Sequence, residues 1–121
     1  LTFLNNVLLY EVFAGLLGMD LIAEMKEMYI TITGTSHYYG IDFIKSGMTV
    51  RLTKEPDNEY DKEAIAVKMQ GLDKIGYVAN SPYTVLGESV SAGRVYDKIS
   101  METEAEVLYV LPQGVICKVV L

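Results

Sequence analysis

The two residues whose types and spacing best suit a chemical role are Tyr60 and Asp61, in a stretch rich in Asp, Asn and Pro. A phenol ring can stack on a nucleobase, which contributes about 1–3 kcal/mol per base and tolerates any base. A carboxylate beside the ring can accept a hydrogen bond from a sugar hydroxyl, whereas it repels a phosphate. The pair therefore suits a strand end that carries a free hydroxyl. The alternative is structural: Asp61 caps a turn and Tyr60 plugs the end of a barrel.

A second aromatic cluster, formed by His37, Tyr38 and Tyr39, lies between Gly34 and Gly40. Aromatic side chains in a loop bounded by glycines can form a base-stacking platform, although such residues also commonly pack partly in the core. His37 is the only histidine, and no Ser, Cys or Asp completes a recognisable catalytic pair with it. We therefore expect a binding module and not an enzyme.

Metal and cofactor sites are not expected. One histidine and one cysteine cannot supply the soft ligands of a zinc site. The stretch 57–63 lacks the central glycine of a calcium loop, and the chain has no phosphate-binding loop of the nucleotide hydrolases. Cys117 lies in an alternating apolar run and is predicted to be a small buried hydrophobic residue. A lone cysteine forms no internal disulfide, so a reducing cytoplasm is the expected location.

Apolar periodicity divides the chain into the elements that must position these residues. Residues 28–33 alternate in polarity, which places Ile30 and Ile32 on a buried face and Thr31 on the opposite face. Further strands are predicted at 49–53, 64–69, 75–79, 99–110 and 115–121. Ser81-Pro82 is expected to start a helix that runs to about Val90, with Gly93 as a stop signal. The pattern predicts a mainly β fold over residues 28–121: a small barrel of about six strands with one inserted helix.

Residues 3–26 carry apolar side chains at intervals of three or four, beginning with Leu4 and Leu8, and this spacing predicts a helix. The first lysine is Lys26, so no positive charge precedes the apolar stretch as in a signal peptide. Polar and acidic residues interrupt it, so a membrane span is not expected. We predict that residues 1–27 form a helical extension that packs on the barrel, pairs two chains or covers the site as a lid.

The chain has 121 residues, which suits one domain, and its net charge is −6. This acidity disfavours membrane surfaces and weakens nucleic-acid binding, because basic side chains supply most of that affinity. The charge is uneven: residues 1–29 carry a net −3, whereas residues 41–80 carry six basic and seven acidic side chains. Arg51, Lys54 and Lys62 in this nearly neutral region can therefore still contact the phosphate backbone of a nucleic acid.

Three segments together resemble the HIRAN domain family. The strongest is 54–65, KEPDNEYDKEAI, which is similar to the family's central R/K-E-P-x-N-x-Y-D-x-x-A-I motif. Residues 34–40, GTSHYYG, resemble its opening G-x-x-x-Y-x-G segment, and residues 75–78, IGYV, resemble its I-G-Y/H-V/L strand. The likeness covers roughly residues 29–120 and is specific in combination.

The resemblance implies an OB-like barrel that, in eukaryotic members, grips the 3′-hydroxyl end of single-stranded DNA. Tyr60 falls on the family's stacking aromatic residue, and Asp61 falls on the carboxylate that meets the terminal hydroxyl. His37 falls where those members have a second stacking tyrosine. Ser36 falls where they have an arginine that binds phosphate, and Asn80 falls near a lysine of the same purpose. The resemblance therefore implies a weaker grip on the phosphate backbone here.

The sequence thus predicts a non-enzymatic module that binds the 3′-hydroxyl end of single-stranded DNA with low affinity, in DNA repair or processing. The predicted nucleic-acid contacts are Tyr60, Asp61, His37, Tyr38, Lys54, Lys62, Arg51 and Asn80. The alternative is a protein-interaction or dimerisation module that has lost DNA binding and that uses helix 3–26 as its contact face.

Overall fold

Six antiparallel strands close into a barrel in the computed structural model, which describes residues 27–120. The strands are β1 (Tyr29–Thr33), β2 (Thr49–Lys54), β3 (Ile65–Met69), β4 (Asp73–Val78), β5 (Glu102–Leu111) and β6 (Gly114–Val120). Their order around the barrel is β1-β4-β3-β2-β5-β6. The predicted mainly β barrel of about six strands is confirmed. The predicted helix 3–26 lies outside the described residues.

The barrel interior is filled by the apolar side chains that alternate along each strand. Val50 and Leu52 point inward from β2, whereas Arg51 between them is exposed. Side chains from all six strands join one buried cluster. Cys117 of β6 is fully buried in it, and burial raises the pKa of its thiol to about 12. The prediction that Cys117 packs as a small hydrophobic residue is confirmed.

Thr31 departs from the alternation predicted for β1, because its side chain is fully buried on the outer side of the strand. Its Oγ1 lies 2.6 Å from the Ser89 hydroxyl and accepts a hydrogen bond of 3.1 Å from the Leu86 backbone N–H. Residues 86–89 therefore cover this part of β1. The polar side chain is tolerated there because both neighbours satisfy its hydroxyl.

The helix predicted from Ser81 to Val90 is wrong: this segment forms turns, and the helix follows it as α1 (Ala92–Val95), continued by the 3-10 helix Tyr96–Lys98. The Ser81 carbonyl does accept two N–H groups, from Thr84 and Val85, but only one turn forms. Further on, the Val90 N–H donates to the Tyr29 carbonyl at 2.7 Å. Hydrogen bonds to β1 thus replace those that a longer helix would make.

The helices of residues 27–120 include none that is long and apolar enough to cross a membrane.

Gly76 of β4 lies where this strand presses most closely on β1. A Cβ atom at this position would lie 2.7 Å from the Thr33 carbonyl oxygen and 2.9 Å from a methyl carbon of Ile32. No side chain fits at such distances without a backbone shift. The glycine of the IGYV segment is therefore a packing requirement of the β1–β4 contact.

Candidate nucleic-acid interface

The loop between β2 and β3 is organised by the side chain of Asn58. Its Oδ1 accepts hydrogen bonds from the backbone N–H groups of Tyr60, at 2.9 Å, and Asp61, at 3.0 Å. The base of the loop is closed by the Glu55 N–H, which donates to the Ala64 carbonyl at 2.8 Å. An asparagine that bonds to the backbone two residues further on is a common turn device. One amide side chain therefore fixes the backbone of the Tyr60-Asp61 pair.

Tyr60 lies open to solvent, with 96% of its surface exposed. It does not plug the barrel, so the structural alternative for this ring is wrong. Asp61 does take part in a turn, because its Oδ1 accepts the Glu63 N–H at 2.9 Å. Its Oδ2 accepts a hydrogen bond of 3.1 Å from the Asn80 amide. A carboxylate offers about four acceptor positions, so Asp61 keeps unused capacity beside an open aromatic ring.

Asn80 connects three elements at this end of the barrel. It follows β4, its amide nitrogen donates to Asp61, and its Oδ1 accepts the Gly93 N–H of α1 at 2.8 Å. A Cβ atom at Gly93 would lie 3.2 Å from the Asn80 oxygen and 3.3 Å from a carboxylate oxygen of Glu63. The glycine predicted to end a helix instead lies inside α1, where it lets the helix approach Asn80.

A network of charged and polar side chains holds the base of the β2–β3 loop. Glu55 accepts hydrogen bonds from the Asn58 amide, at 3.0 Å, and the Tyr77 hydroxyl, at 2.8 Å, and forms a 2.8 Å ion pair with Lys74. Lys74 also donates to the Tyr77 hydroxyl at 2.7 Å. The network therefore holds Asn58, which in turn holds the Tyr60-Asp61 backbone.

The ionised forms of this network are stabilised. Burial alone would raise the pKa of Glu55, but hydrogen bonds from Lys74, Asn58 and Tyr77 outweigh it and bring the pKa below the ordinary 4.5. The hydrogen bond to Glu55 is the largest cause of a raised pKa at Lys74, followed by the bond to Tyr77. Both groups stay charged at neutral pH. The Lys74 ammonium group is occupied by Glu55 and Tyr77 and does not serve as a free cation for a ligand.

Residues 25–110 match the family model of the HIRAN domain. The chain belongs to the HIRAN domain family. Its barrel is similar to the crystal structure of the HIRAN domain of human HLTF, with 20% identity and a TM-score of 0.51 over 77% of this chain and 70% of that one. It is also similar to the crystal structure of a protein from Lactobacillus plantarum, with 23% identity and a TM-score of 0.52 over 78% and 93% of the two chains. At these identities the two structures show the shared fold. A search of curated proteins found no significant match.

The first loop of this HIRAN domain places its aromatic residues unequally. Tyr38 lies against Tyr77, with ring centroids 6.4 Å apart, which links it to the network under the β2–β3 loop. Tyr39 packs edge-on against Phe43 at 6.4 Å. His37 and Ser36 are exposed in the 3-10 helix Thr35–His37.

The predicted cations fall at different places in the HIRAN barrel. We call the end where β2 ends and β3 begins the loop end, and the end where β3 meets β4 the hairpin end. Lys62 is exposed at the loop end, and Lys54 lies there with its Nζ 4.4 Å from the centroid of the Tyr96 ring. Arg51 instead lines a surface depression of about 540 Å³ that extends to the hairpin end, with Lys68, Asp73 and Glu104 among its walls. The structure therefore brings Lys54 and Lys62 to the candidate interface but does not bring Arg51.

Two residues near the interface were missed from the sequence. Tyr83, in the loop after Asn80, is 94% exposed, and Arg94, next to Gly93 in α1, is exposed and has no carboxylate partner within 4 Å among residues 27–120. Both lie in or next to the segment that was predicted as a helix, so their positions relative to Asp61 had no basis in the sequence. Residues 27–120 contain no group of three or more His, Cys, Asp or Glu side chains arranged to hold a metal ion.

Proposed function

We propose that this HIRAN domain is a non-enzymatic module that binds single-stranded DNA at a 3′-hydroxyl end, as part of DNA repair or processing. The observation that carries the proposal is the open ring of Tyr60 beside a carboxylate that is fixed from two sides. Asp61 is held by the Glu63 N–H and the Asn80 amide, and Tyr60 is 96% exposed.

Tyr60 provides the stacking surface. Because the ring makes little contact with the protein, a nucleobase can cover it without displacing packed side chains. The loop backbone under the ring is already fixed by Asn58, so little conformational entropy is lost on binding. Base stacking on an aromatic ring contributes about 1–3 kcal/mol and is independent of the base. The module should therefore bind strands of different sequence with similar affinity.

Asp61 reads the end of the strand. Two of its acceptor positions are occupied by protein donors, and the remaining ones are available for the terminal hydroxyl of the sugar. A phosphate at the same position would bring negative charge next to the carboxylate. At about 4 Å such a repulsion amounts to about 1 kcal/mol per pair of unit charges in water, and to more near a protein surface. The carboxylate therefore selects a hydroxyl end against a phosphate end.

The phosphate backbone contributes little affinity. The stretch 55–63 carries five carboxylates and one lysine, Lys62, and Lys74 is paired with Glu55. Lys62 and Lys54 are the cations at the loop end that the sequence predicted. Each phosphate contact to a single strand adds about −0.7 to the slope of log K against log salt, so two contacts give a slope of about −1.4. We expect weak binding with a shallow salt dependence.

The decisive experiment compares two single-stranded oligonucleotides of the same sequence, one ending in a 3′-hydroxyl and the other in a 3′-phosphate. Fluorescence anisotropy at low salt should show binding of the first and much weaker binding of the second. Equal affinity for both ends would contradict the assignment of Asp61.

Absence of binding to either strand would favour the protein-interaction alternative. The acidic composition and the apolar periodicity of residues 3–26 are the observations that support it. Sedimentation of the full chain and of a chain that begins at residue 27 would then test whether residues 1–26 mediate self-association.

A further inference from the structure

The loop after β4 presents a second tyrosine in nearly the same manner as Tyr60. Tyr83 is 94% exposed, and its backbone N–H donates to the Ser81 hydroxyl at 3.2 Å. The Ser81 carbonyl accepts the N–H groups of Thr84, at 2.9 Å, and Val85, at 3.0 Å. Tyr83 is thus an open ring on a turn that several hydrogen bonds hold in place.

The two turns share one construction. In each, a polar side chain accepts the N–H of the tyrosine two residues further on: Asn58 for Tyr60 and Ser81 for Tyr83. Among the exposed large hydrophobic side chains of residues 27–120, the next most exposed is Tyr109, at 63%. Single exposed apolar residues are common and carry no meaning alone. Tyr60 and Tyr83 differ from the other exposed side chains because both rings are almost fully exposed and both stand on a hydrogen-bonded turn.

The pair lies at one end of the barrel because Asn80 ties the two loops together. Its amide donates to Asp61, the neighbour of Tyr60, and Tyr83 follows Asn80 by three residues. Three residues of chain span at most about 11 Å, so the Tyr83 backbone stays close to that hydrogen bond. Arg94 adds an exposed cation next to Gly93, whose N–H donates to the same Asn80 side chain.

We propose that Tyr83 is a second base-stacking residue, which binds a nucleotide on the 5′ side of the one that stacks on Tyr60, with Arg94 near the phosphate backbone between them. This inference rests on the proposed function, because it assigns a further contact to the same single-stranded DNA. OB folds that bind single strands of any sequence combine cationic side chains along the backbone with aromatic side chains on which successive bases stack. Tyr83 would make the affinity depend on strand length, whereas Tyr60 and Asp61 recognise the terminal nucleotide.

The test is a length series of thymidine ligands, all with a 3′-hydroxyl, that compete against a labelled strand in an anisotropy assay. The shortest is thymidine 5′-monophosphate, and the longest is an oligothymidylate of about eight nucleotides, within the about 4–16 that one OB fold covers. The variants are Tyr83→Ala, Tyr60→Ala and Tyr109→Ala. The last is a matched control, an exposed tyrosine of β5 beyond the Thr49–Glu106 pair, toward the barrel end away from the loop end.

The expected result is that Tyr83→Ala binds the mononucleotide like the wild type and binds the longest strand about tenfold more weakly, as loss of one stacked ring predicts. Tyr60→Ala should bind every ligand more weakly, and Tyr109→Ala should match the wild type. If Tyr83→Ala matches Tyr109→Ala at every length while Tyr60→Ala loses affinity, the inference about Tyr83 is wrong and the proposed function stands. If Tyr83→Ala weakens the mononucleotide as much as the longest strand, the assignment to a separate nucleotide is overturned. If the wild-type protein binds none of the ligands, both proposals fail.

Discussion

The loop end and the hairpin end of the barrel offer a ligand opposite features. The hairpin end contributes to a surface depression of about 540 Å³, and the walls of this depression carry Arg51 and Lys68. Those charges face acidic neighbours: Lys68 lies 3.8 Å from Asp73, and Arg51 is the cross-strand partner of Glu104. No aromatic ring lines that depression. The loop end has the open rings of Tyr60 and Tyr83 and a carboxylate, Asp61, with unused acceptor positions.

The difference teaches that an enclosed depression is not by itself evidence of a binding site in this protein. Charges that are exposed to solvent and already face opposite charges add little free energy to the binding of a ligand. An open ring on a fixed backbone gains stacking energy that water cannot supply, and a fixed carboxylate adds selectivity. The chemistry of the side chains therefore favours the loop end as the candidate interface.

The largest effect is expected for Tyr60→Ala at the loop end. Loss of the ring should weaken binding of a 3′-hydroxyl strand by about 1–3 kcal/mol, or roughly five- to 150-fold. The melting temperature should hardly change, because the side chain is 96% exposed. Anisotropy titration and thermal unfolding measure the two effects. Tyr60→Phe is the control, since it keeps the ring and should keep the affinity. Unchanged binding by the alanine variant would remove Tyr60 from the interface.

The next largest effect concerns stability and comes from the network under the loop end. Glu55→Gln leaves Lys74 without its carboxylate, and we expect the free energy of unfolding at pH 7 to fall by about 1–2 kcal/mol. This is less than the about 3–5 kcal/mol of a fully buried pair, since the Lys74 and Glu55 side chains keep 27% and 24% of their surface exposed. Denaturant titration measures the change.

The effect of Glu55→Gln should depend on pH in a defined direction. The pKa of Glu55 is lowered in the folded protein, so its contribution is complete above the ordinary value of 4.5 and is lost as pH falls through the folded pKa. The raised pKa of Lys74 makes its contribution complete below 10.5 and lost at higher pH. The difference between wild type and variant should therefore be constant from about pH 6 to 9 and shrink in acid. Glu59→Gln, an exposed carboxylate in the same loop, should show no such difference.

A smaller effect is expected for Asn80→Ala, which removes one donor to Asp61 and the acceptor for the Gly93 N–H. Water can replace both partners because Asn80 is exposed, so the free energy that favours a hydroxyl end over a phosphate end should fall by only about 0.5–1 kcal/mol. We expect it to appear as a two- to fivefold lower preference for a 3′-hydroxyl over a 3′-phosphate end. Asn80→Asp keeps the acceptor for Gly93 but replaces the donor with a second carboxylate, which repels a 3′-phosphate as Asp61 does, so this variant should not lower the preference. If Asn80→Ala keeps the wild-type preference, the donor is not what prepares Asp61.

The smallest effect is a change in the salt dependence of DNA binding, which should differ between a cation at the loop end and one in the depression toward the hairpin end. Lys62→Ala at the loop end should reduce the steepness of the salt dependence by about 0.7, the value of one phosphate contact on a single strand. Arg51→Ala, in the depression toward the hairpin end, should leave both the affinity and the slope unchanged. Titrations at several salt concentrations measure both. A loss of slope with Arg51→Ala would move the backbone path onto the outer face of the β2–β3–β5 sheet.

Much of the fold follows from local pattern. Alternation placed five of the six strands within about two residues, and the start of β5 within three, because each strand has one face in the barrel interior and one in solvent. Thr31 broke this rule because the segment 86–89 covers β1 from outside, and no periodicity in β1 encodes that cover. The helix predicted from Ser81-Pro82 failed for the same reason: hydrogen bonds to β1, which lies 55 residues away for the Leu86–Thr31 bond, compete with helical ones, and no pattern within residues 81–90 encodes them.

The sequence by itself determined the strands, the turn chemistry around Asn58 and the acidic charge, since these depend on neighbours within a few positions along the chain. It also determined the Tyr60-Asp61 pair, because two adjacent residues cannot be separated by folding. Only the tertiary structure decided that Asn80 joins Asp61 to Gly93, that Lys74 is committed to Glu55, and that Arg51 lines a depression away from the interface. These contacts connect residues from separate strands and loops, whose distances are set by the closure of the barrel and not by their spacing in the chain.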